Sequence, residues 1–333
     1  MAIRVGINGF GRTGRLTLRA GFDAPDLEFV AMNDMADAES LAYLLQFDSV
    51  QGLADYDIAI TDAGFTIDGQ EITALSEKDP AKLPWKELGV DLVIEATGKF
   101  ENRDAAAAHL HAGAQRVLIT APAKGVDGTF VIGVNDDQYD PQKHLIISTA
   151  SCTTNCLAVV AKVLHERFEI ARGMALTVHA YTNSQALLDR PSSKLRRARS
   201  AALNLVPTST GAAATINEVL PELSGRLDAL AIRSPNPAGS ILDLTVTLGR
   251  DVDAKAINDA FKEASESDAL QDVLLISHDA LVSTDIIGTS FSAIVDAEST
   301  MTLGNMAKVL AWYDNEWGYC SRVVDFAMII AQS

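Results

Sequence analysis

The sequence predicts an α/β protein: a doubly wound, Rossmann-type parallel sheet joined to a catalytic α+β domain with a large, mainly antiparallel or mixed sheet. Three observations carry this. Short β-rich runs alternate with helical or loop stretches in the first half, as in "AIRVGIN", "LEFVAMND", "DLVIEATG", "RVLITAPA", "TFVIGVN" and "HLIISTAS". That rhythm belongs to parallel strands with crossover helices. A Gly-x-Gly-x-x-Gly loop follows the first run and opens a helix. After residue 151 the pattern changes to longer strand candidates, "MALTVHAYT", "ALAIRSP", "ILDLTVTLG" and "FSAIVDAE".

In chain order, Arg12 to Ala20 and Asp104 to Ala112 read as helices. Between them, "ADYDIAITDAGFTIDGQEITAL" reads as an antiparallel excursion turned at Gly64 and at Asp68-Gly69. Helices are expected from Thr153 to about Phe168 and from Asp253 to Ser265. The stretch from Thr182 to Thr210 holds no strand pattern and is rich in Ser, Pro and Arg. So long a loop in a compact domain is usually functional or an assembly element. "NMAKVLAWYDNEWGY" followed by "SRVVDFAMIIAQS" reads as a strand, a turn and a terminal helix. A chain of 333 residues with 48% hydrophobic content can bury two cores. The expected domains are 1–151, with the terminal helix of about 316–333 packed back onto it, and 152–315.

A net charge of −17 repels polyanions, so nucleic acid is a poor candidate for the main partner despite the basic run "KLRRAR". No basic segment leads into an apolar run, and no window reaches the roughly 18 apolar residues of a membrane span. A cytoplasmic protein with no membrane partner is expected. The six histidines are scattered and form no H-E-x-x-H or C-x-x-C pattern with the three cysteines, so no metal is expected.

The glycine loop is Gly9-Phe10-Gly11-Arg12-Thr13-Gly14. Small residues there let backbone N–H groups and the positive helix end approach a pyrophosphate, which points to a dinucleotide. Asp34 lies about 20 residues past Gly14, where an acid accepts from the adenosine ribose hydroxyls. Its charge would repel a 2′-phosphate, and "AMNDMADAESL" holds no base to offset it. The cofactor expected is NAD.

Cys152 begins the helical run "CTTNCLAVVAKVLHERF", where the helix dipole and unpaired N–H groups are expected to lower a thiol's pKa. Cys156, one turn on among Leu157, Val159 and Val160, reads as a small core residue, and Cys320 as inert. A nucleophilic thiol needs a base. His179, at the end of "MALTVHAYT", is better placed for that than His109, His111, His144, His165 or His278.

"INGFGRTGR", "ASCTTNC", "HAYTN", "LRRARSAALNLVPTSTGAA" and "WYDNEWGY" occur in this order and resemble the signature stretches of the glyceraldehyde-3-phosphate dehydrogenases, over about Ile3 to Asp325. The resemblance implies that Cys152 attacks an aldehyde to give a thiohemiacetal, that His179 takes its hydroxyl proton, and that hydride loss to NAD leaves a thioester for phosphate to attack. It implies that Ser151, Thr153, Thr210, Gly211 and Arg197 serve the incoming phosphate, and that Thr182 and Arg233 hold the phosphate of glyceraldehyde 3-phosphate. It places Asn315 and Tyr319 against the nicotinamide, with Thr97, Gly98 and Thr120 along the way. The loop from Thr182 to Thr210 corresponds to the family's S-shaped interface loop, which implies a homotetramer with Pro191 near the neighbour's adenosine site.

The chain departs from the family in places. Ser184 stands where many members carry an acid, and removing a carboxylate beside an anion removes repulsion. Arg190 and "SSK" also differ within the loop. Erythrose-4-phosphate dehydrogenase, an arsenate-linked triose-phosphate enzyme, a thiol hydrolase and a catalytically silent NAD-binding regulator are the alternatives.

Overall fold

The computed structural model describes residues 2–333, which divide into two compact units. One takes in the chain up to Phe130, Asp136–Ala150 and Cys320–Ser333; the other takes in Val131–Asn135 and Ser151–Tyr319.

The first unit is built on a nine-stranded sheet. Its strands run in the order Gly128–Thr129, Ile146–Ser148, Arg116–Ile119, Leu92–Glu95, Ile3–Asn8, Leu27–Asn33, Gln70–Leu75, Gly64–Ile67 and Ile58–Ile60. Ile3–Asn8 is central: it pairs in parallel with Leu27–Asn33 on one side and with Leu92–Glu95 on the other. The chain therefore builds outward one way, returns, and builds the other way. Ligands of such sheets bind at the strand ends where this reversal occurs. Val5, Ile7, Val93 and Ile94 are fully buried, as strands covered on both faces must be.

At the far edge the last two strands turn antiparallel. Asp68 at φ 48° and Gly69 at φ 83° make the expected tight hairpin turn. The other reversal falls before Gly64, which is itself the first residue of its strand. A Cβ there would lie 2.3 Å from the Ile72 carbonyl oxygen, so the glycine serves close strand approach rather than the turn. "TFVIGVN" is likewise not one strand. Only its first residue, Thr129, pairs, in the short strand Gly128–Thr129, because the chain turns through Gly133 at φ 76° while the Asn135 side chain accepts from the Val131 N–H.

A buried polar network ties the central strands together. Glu95 accepts from Asn8 Nδ2 at 2.6 Å, His109 Nε2 at 3.1 Å and Thr97 N at 2.8 Å, and from the Thr97 hydroxyl. Trp85 Nε1 donates to His109 Nδ1 at 3.0 Å, which fixes the remaining ring proton on Nε2. Asn33 donates to Asn8 at 2.7 Å.

The second unit has an eight-stranded mixed sheet. The main path is Val206–Ser209, Leu227–Ser234, Ile170–Ala180, Ser240–Leu248, Met306–Tyr313, Ala293–Asp296 and Leu274–Ser277, with Met301–Leu303 beside Met306–Tyr313. Leu242, Leu244, Val246 and Leu248 alternate inward, the period of a strand with one buried face. Helix Cys152–Phe168 packs on that face, between helices Ala212–Val219 and Ala254–Ser265, and is buried along most of its length. The expected 182–210 loop contains a strand that the sequence reading missed, Val206–Ser209. It is an edge strand, where the missing N–H of Pro207 is tolerated. Leu274–Ser277, Ala38–Gln46 and Ala212–Val219 were also not anticipated. The terminal helix Trp317–Ala331 carries Phe326, whose ring stacks on Phe130 at 5.3 Å within the first unit.

Trp85 also packs against Gly6, where a Cβ would come within 2.9 Å of its ring. Trp85→Phe removes the donor to His109 Nδ1 and leaves a gap. The expected loss is about 2–4 kcal/mol, read as a lower urea midpoint; an unchanged midpoint would contradict the network's structural role.

Candidate active site

Two elements of the second unit converge. Strands Ile170–Ala180 and Leu227–Ser234 run parallel with His179 in register with Arg233, so both side chains stand on the same face. Cys152 opens the helix whose N-cap is Ser151; the Ser151 hydroxyl accepts from the Thr154 N–H at 3.1 Å. The chain reaches this cap through Ala150 at φ 58°, a left-handed conformation that is uncommon without glycine.

Cys152 Sγ lies 3.4 Å from His179 Nε2. On the far side of the ring, Nδ1 lies 2.7 Å from the Ala180 carbonyl oxygen and 2.7 Å from Arg233 Nη1. Arg233 Nη1 also donates to the Ala180 oxygen at 3.0 Å. Arg233 Nε is buried and has no hydrogen-bond partner.

Burial and the adjoining Arg233 charge push the His179 pKa down to about 3, so the imidazole is neutral at ordinary pH. For Cys152 the expected lowering does not occur. Burial raises the thiol's pKa, and the Arg233 charge and hydrogen bonds from Thr153 only partly offset it. Cys156 is buried and raised well above the usual range, which suits a packing residue.

Two residues that the sequence reading missed join this cluster. Tyr313 Oη lies 3.0 Å from Thr153 Oγ1 and 2.7 Å from Thr177 Oγ1. Both were legible in principle: Thr177 precedes His179 by one strand repeat, and Tyr313 lies within "WYDNEWGY". Asn315 accepts from Ser240 Oγ at 2.8 Å, and Ser240 Oγ accepts from the Ala180 N–H at 3.1 Å. Tyr319 is buried in the same unit.

The remaining phosphate candidates form a second group. Arg197 Nε donates to Thr208 Oγ1 at 2.9 Å, and its Nη1 reaches Ser184 Oγ at 3.5 Å. Ser184 in turn lies 2.8 Å from Thr182 Oγ1. Thr210 and Gly211 follow in the chain and lead into helix Ala212–Val219, Gly211 as its N-cap. Thr210 Oγ1 accepts from the Ala212 N–H at 3.3 Å.

In the first unit the three glycines play different parts. A Cβ on Gly9, at φ 96°, would lie 2.6 Å from the Thr97 nitrogen, and one on Gly14 would lie 2.1 Å from the Gly9 oxygen. A Cβ on Gly11 would meet open space, which leaves its backbone accessible to a pyrophosphate. Asp34 accepts from the Phe10 N–H at 2.8 Å and so holds the loop. Arg12 is committed to an ion pair with Asp48 at 2.8 Å. The Thr13 carbonyl accepts from Cys320 Sγ at 3.5 Å. Thr97 and Thr120 both hang on Glu95, Thr120 through its backbone carbonyl at 3.0 Å, and Gly98 sits at φ 66°. These residues fit NAD: an open Gly-x-Gly turn at the sheet's reversal point, with an acid at its side. Among the described residues no group of three or more His, Cys, Asp or Glu is placed to hold a metal, and no helix is long and apolar enough to cross a membrane.

Comparison with known proteins gives a consistent result. Residues 3–103 match the family model described as glyceraldehyde 3-phosphate dehydrogenase, NAD binding domain, and residues 151–315 match its C-terminal domain. The chain is 52% identical over 332 residues to the glyceraldehyde-3-phosphate dehydrogenase of Geobacillus stearothermophilus, covering 99% of each. It is 51% identical to glyceraldehyde-3-phosphate dehydrogenase 1 of Bacillus subtilis (strain 168), covering 100% of this chain and 99% of that one. Identity to the Streptomyces coelicolor glyceraldehyde-3-phosphate dehydrogenase is 50%, over 99% of each.

Removing the Arg233 charge removes a stabilising influence on the thiolate. Arg233→Met is therefore expected to raise the midpoint of iodoacetamide alkylation of Cys152 by about one pH unit. With His179 neutral, no second inflection is expected between ~pH 5 and 8. A lowered midpoint would show that Arg233 does not act on the thiol through its charge.

Proposed function

This chain belongs to the glyceraldehyde-3-phosphate dehydrogenase family, and on that premise we propose that it oxidises D-glyceraldehyde 3-phosphate with NAD and inorganic phosphate to 1,3-bisphosphoglycerate, reversibly. The observation that carries the mechanism is the Cys152–His179 contact at 3.4 Å.

Cys152 Sγ attacks the aldehyde carbon, its proton passing to the nascent oxygen by way of His179, and a thiohemiacetal forms. His179 then accepts the hydroxyl proton as the C–H bond gives up its hydride, and the carbon becomes a thioester on Cys152. Bound NAD supplies the hydride acceptor. Phosphate attacks the thioester, Cys152 leaves as thiolate, and the acyl phosphate departs.

Arg233, with an unpartnered Nε, and Thr182 suit the substrate's phosphate; Arg197, Thr210, Gly211, Ser151 and Thr153 suit the incoming one. Asn315 and Tyr319 are assigned to the nicotinamide. Gly9, Gly11, Arg12, Thr13, Gly14, Asp34, Thr97, Gly98 and Thr120 are assigned to the rest of the cofactor, Arg12 through its pairing with Asp48. Residues 1–151 with about 316–333 are assigned to NAD and 152–315 to catalysis. A cytoplasmic homotetramer is part of the same proposal. Its support is the loop that bares Leu187, Leu188, Leu195, Leu203 and Leu205, an apolar set suited to a second copy.

Purified protein is expected to form NADH from the triose phosphate only with NAD and phosphate, and to run as four chains in light scattering. NADP should be poor. His179→Asn should lower kcat by about 10²–10⁴-fold. Faster turnover of erythrose 4-phosphate, or none of either sugar, would overturn the substrate assignment.

A further inference from the structure

We propose that Glu95 is a fixed buried anion that makes the first unit bind the oxidised cofactor, whose nicotinamide ring is cationic, in preference to the reduced one, with Glu101 adding to the same field. The proposal rests on NAD as the cofactor and not on which aldehyde is oxidised.

The charge follows from the direction of every hydrogen bond around Glu95. At one end of the network the Glu77 backbone fixes Asn33: its N–H donates to Asn33 Oδ1 at 2.8 Å, and its carbonyl accepts from Asn33 Nδ2 at 2.9 Å. Asn33 Nδ2 also donates to Asn8 Oδ1, which turns the Asn8 Nδ2 toward Glu95. At the other end the Trp85 indole can only donate, so His109 Nδ1 keeps its lone pair and the ring proton sits on Nε2, again toward Glu95. The Thr97 hydroxyl accepts from the Lys99 N–H at 3.1 Å and gives its own proton to the carboxyl, beside the Thr97 N–H. Four donors meet Glu95. A protonated carboxyl would set its O–H against one of them, whereas a carboxylate satisfies them all.

That carboxylate has no counter-charge. Its ion-pair partner among the described residues is His109, which the indole holds neutral. Glu95 is 2% exposed, and a buried charge without a counter-ion is costly even when hydrogen-bonded. Its position gives the charge a use. Strand Leu92–Glu95 opens the second half of the sheet, across the reversal from strand Ile3–Asn8 and its glycine loop. The glycine loop takes the pyrophosphate, and the second half takes the nicotinamide end. Thr97 and Gly98, which follow Glu95, belong to the residues assigned to the cofactor. A Cβ on Gly98 would lie 3.7 Å from Glu101 Oε1, so a second carboxylate stands against the same turn. Burial and the Glu95 charge push that carboxyl above its usual range. NAD and NADH differ in charge only at the nicotinamide ring. An anion held at this end therefore acts on the ratio of their affinities, from which the rest of the cofactor cancels.

The test is calorimetric titration of full-length protein with NAD and, separately, with NADH at pH 8, with no sugar phosphate present. In Glu95→Gln the Kd for NAD is expected to rise relative to that for NADH by about fivefold or more, roughly 1 kcal/mol. Trp85→Phe disturbs the same network but leaves the carboxylate charged, so it is expected to weaken both cofactors alike. Glu95→Asp, which keeps the charge, should restore the wild-type ratio. Glu101→Gln, at an exposed position outside the network, should move the ratio the same way by about twofold. Both affinities falling together in Glu95→Gln would make the residue purely structural and overturn the inference. Should that variant fail to fold, an unchanged ratio in Glu101→Gln would overturn it. Wild type that binds neither cofactor would instead contradict the assignment of NAD itself, so the two failures are distinct.

Discussion

The chemistry of the second unit depends on keeping a thiol and a neutral imidazole in contact while both are largely withdrawn from water. A helix N-terminus delivers Cys152 and a strand delivers His179. Neither element alone makes a reactive site. Burial works against the thiolate, and the Arg233 charge works for it. The same charge works against an imidazolium, which keeps His179 uncharged. One cation thus lowers the pKa of both partners, which favours a charge on sulfur and none on the ring.

The first unit solves a different problem, how to bring backbone N–H groups close to a diphosphate. Its answer is distributed over three glycines, of which two pack against the chain and one is left open. Glu95 holds the ends of neighbouring strands by accepting from Asn8 and Thr97, so the loop that follows Asn8 starts from a fixed point. A buried carboxylate in this setting is tolerable because each of its oxygens is met by donors.

Much of this was legible in the sequence because the informative features are local. The glycine spacing, Asp34, and the helix starting at Cys152 each depend on neighbours a few residues away. What escaped was long-range. Tyr313 meets Thr153 across 160 residues of chain, and Trp85 reaches His109 from a segment without periodicity. The His179–Arg233 register exists only once the sheet forms. "TFVIGVN" misled because an apolar run says nothing of an Asn135 side chain that can capture the Val131 N–H and turn the chain. The thiol's pKa was misjudged for a related reason: the helix position is visible in sequence, but the depth of burial is not.

The central claim is that oxidation proceeds through an acyl group on Cys152. Mixing the protein with glyceraldehyde 3-phosphate and excess NAD in phosphate-free buffer, acid-quenching within one turnover, and mapping the intact adduct by peptide mass spectrometry tests it most directly. The expected result is a 3-phosphoglyceroyl thioester on the peptide containing Cys152, absent in Cys152→Ser and discharged by added phosphate. NADH formed in that first turnover with no adduct on Cys152, or with the acyl group on Cys156 or Cys320, would contradict the account.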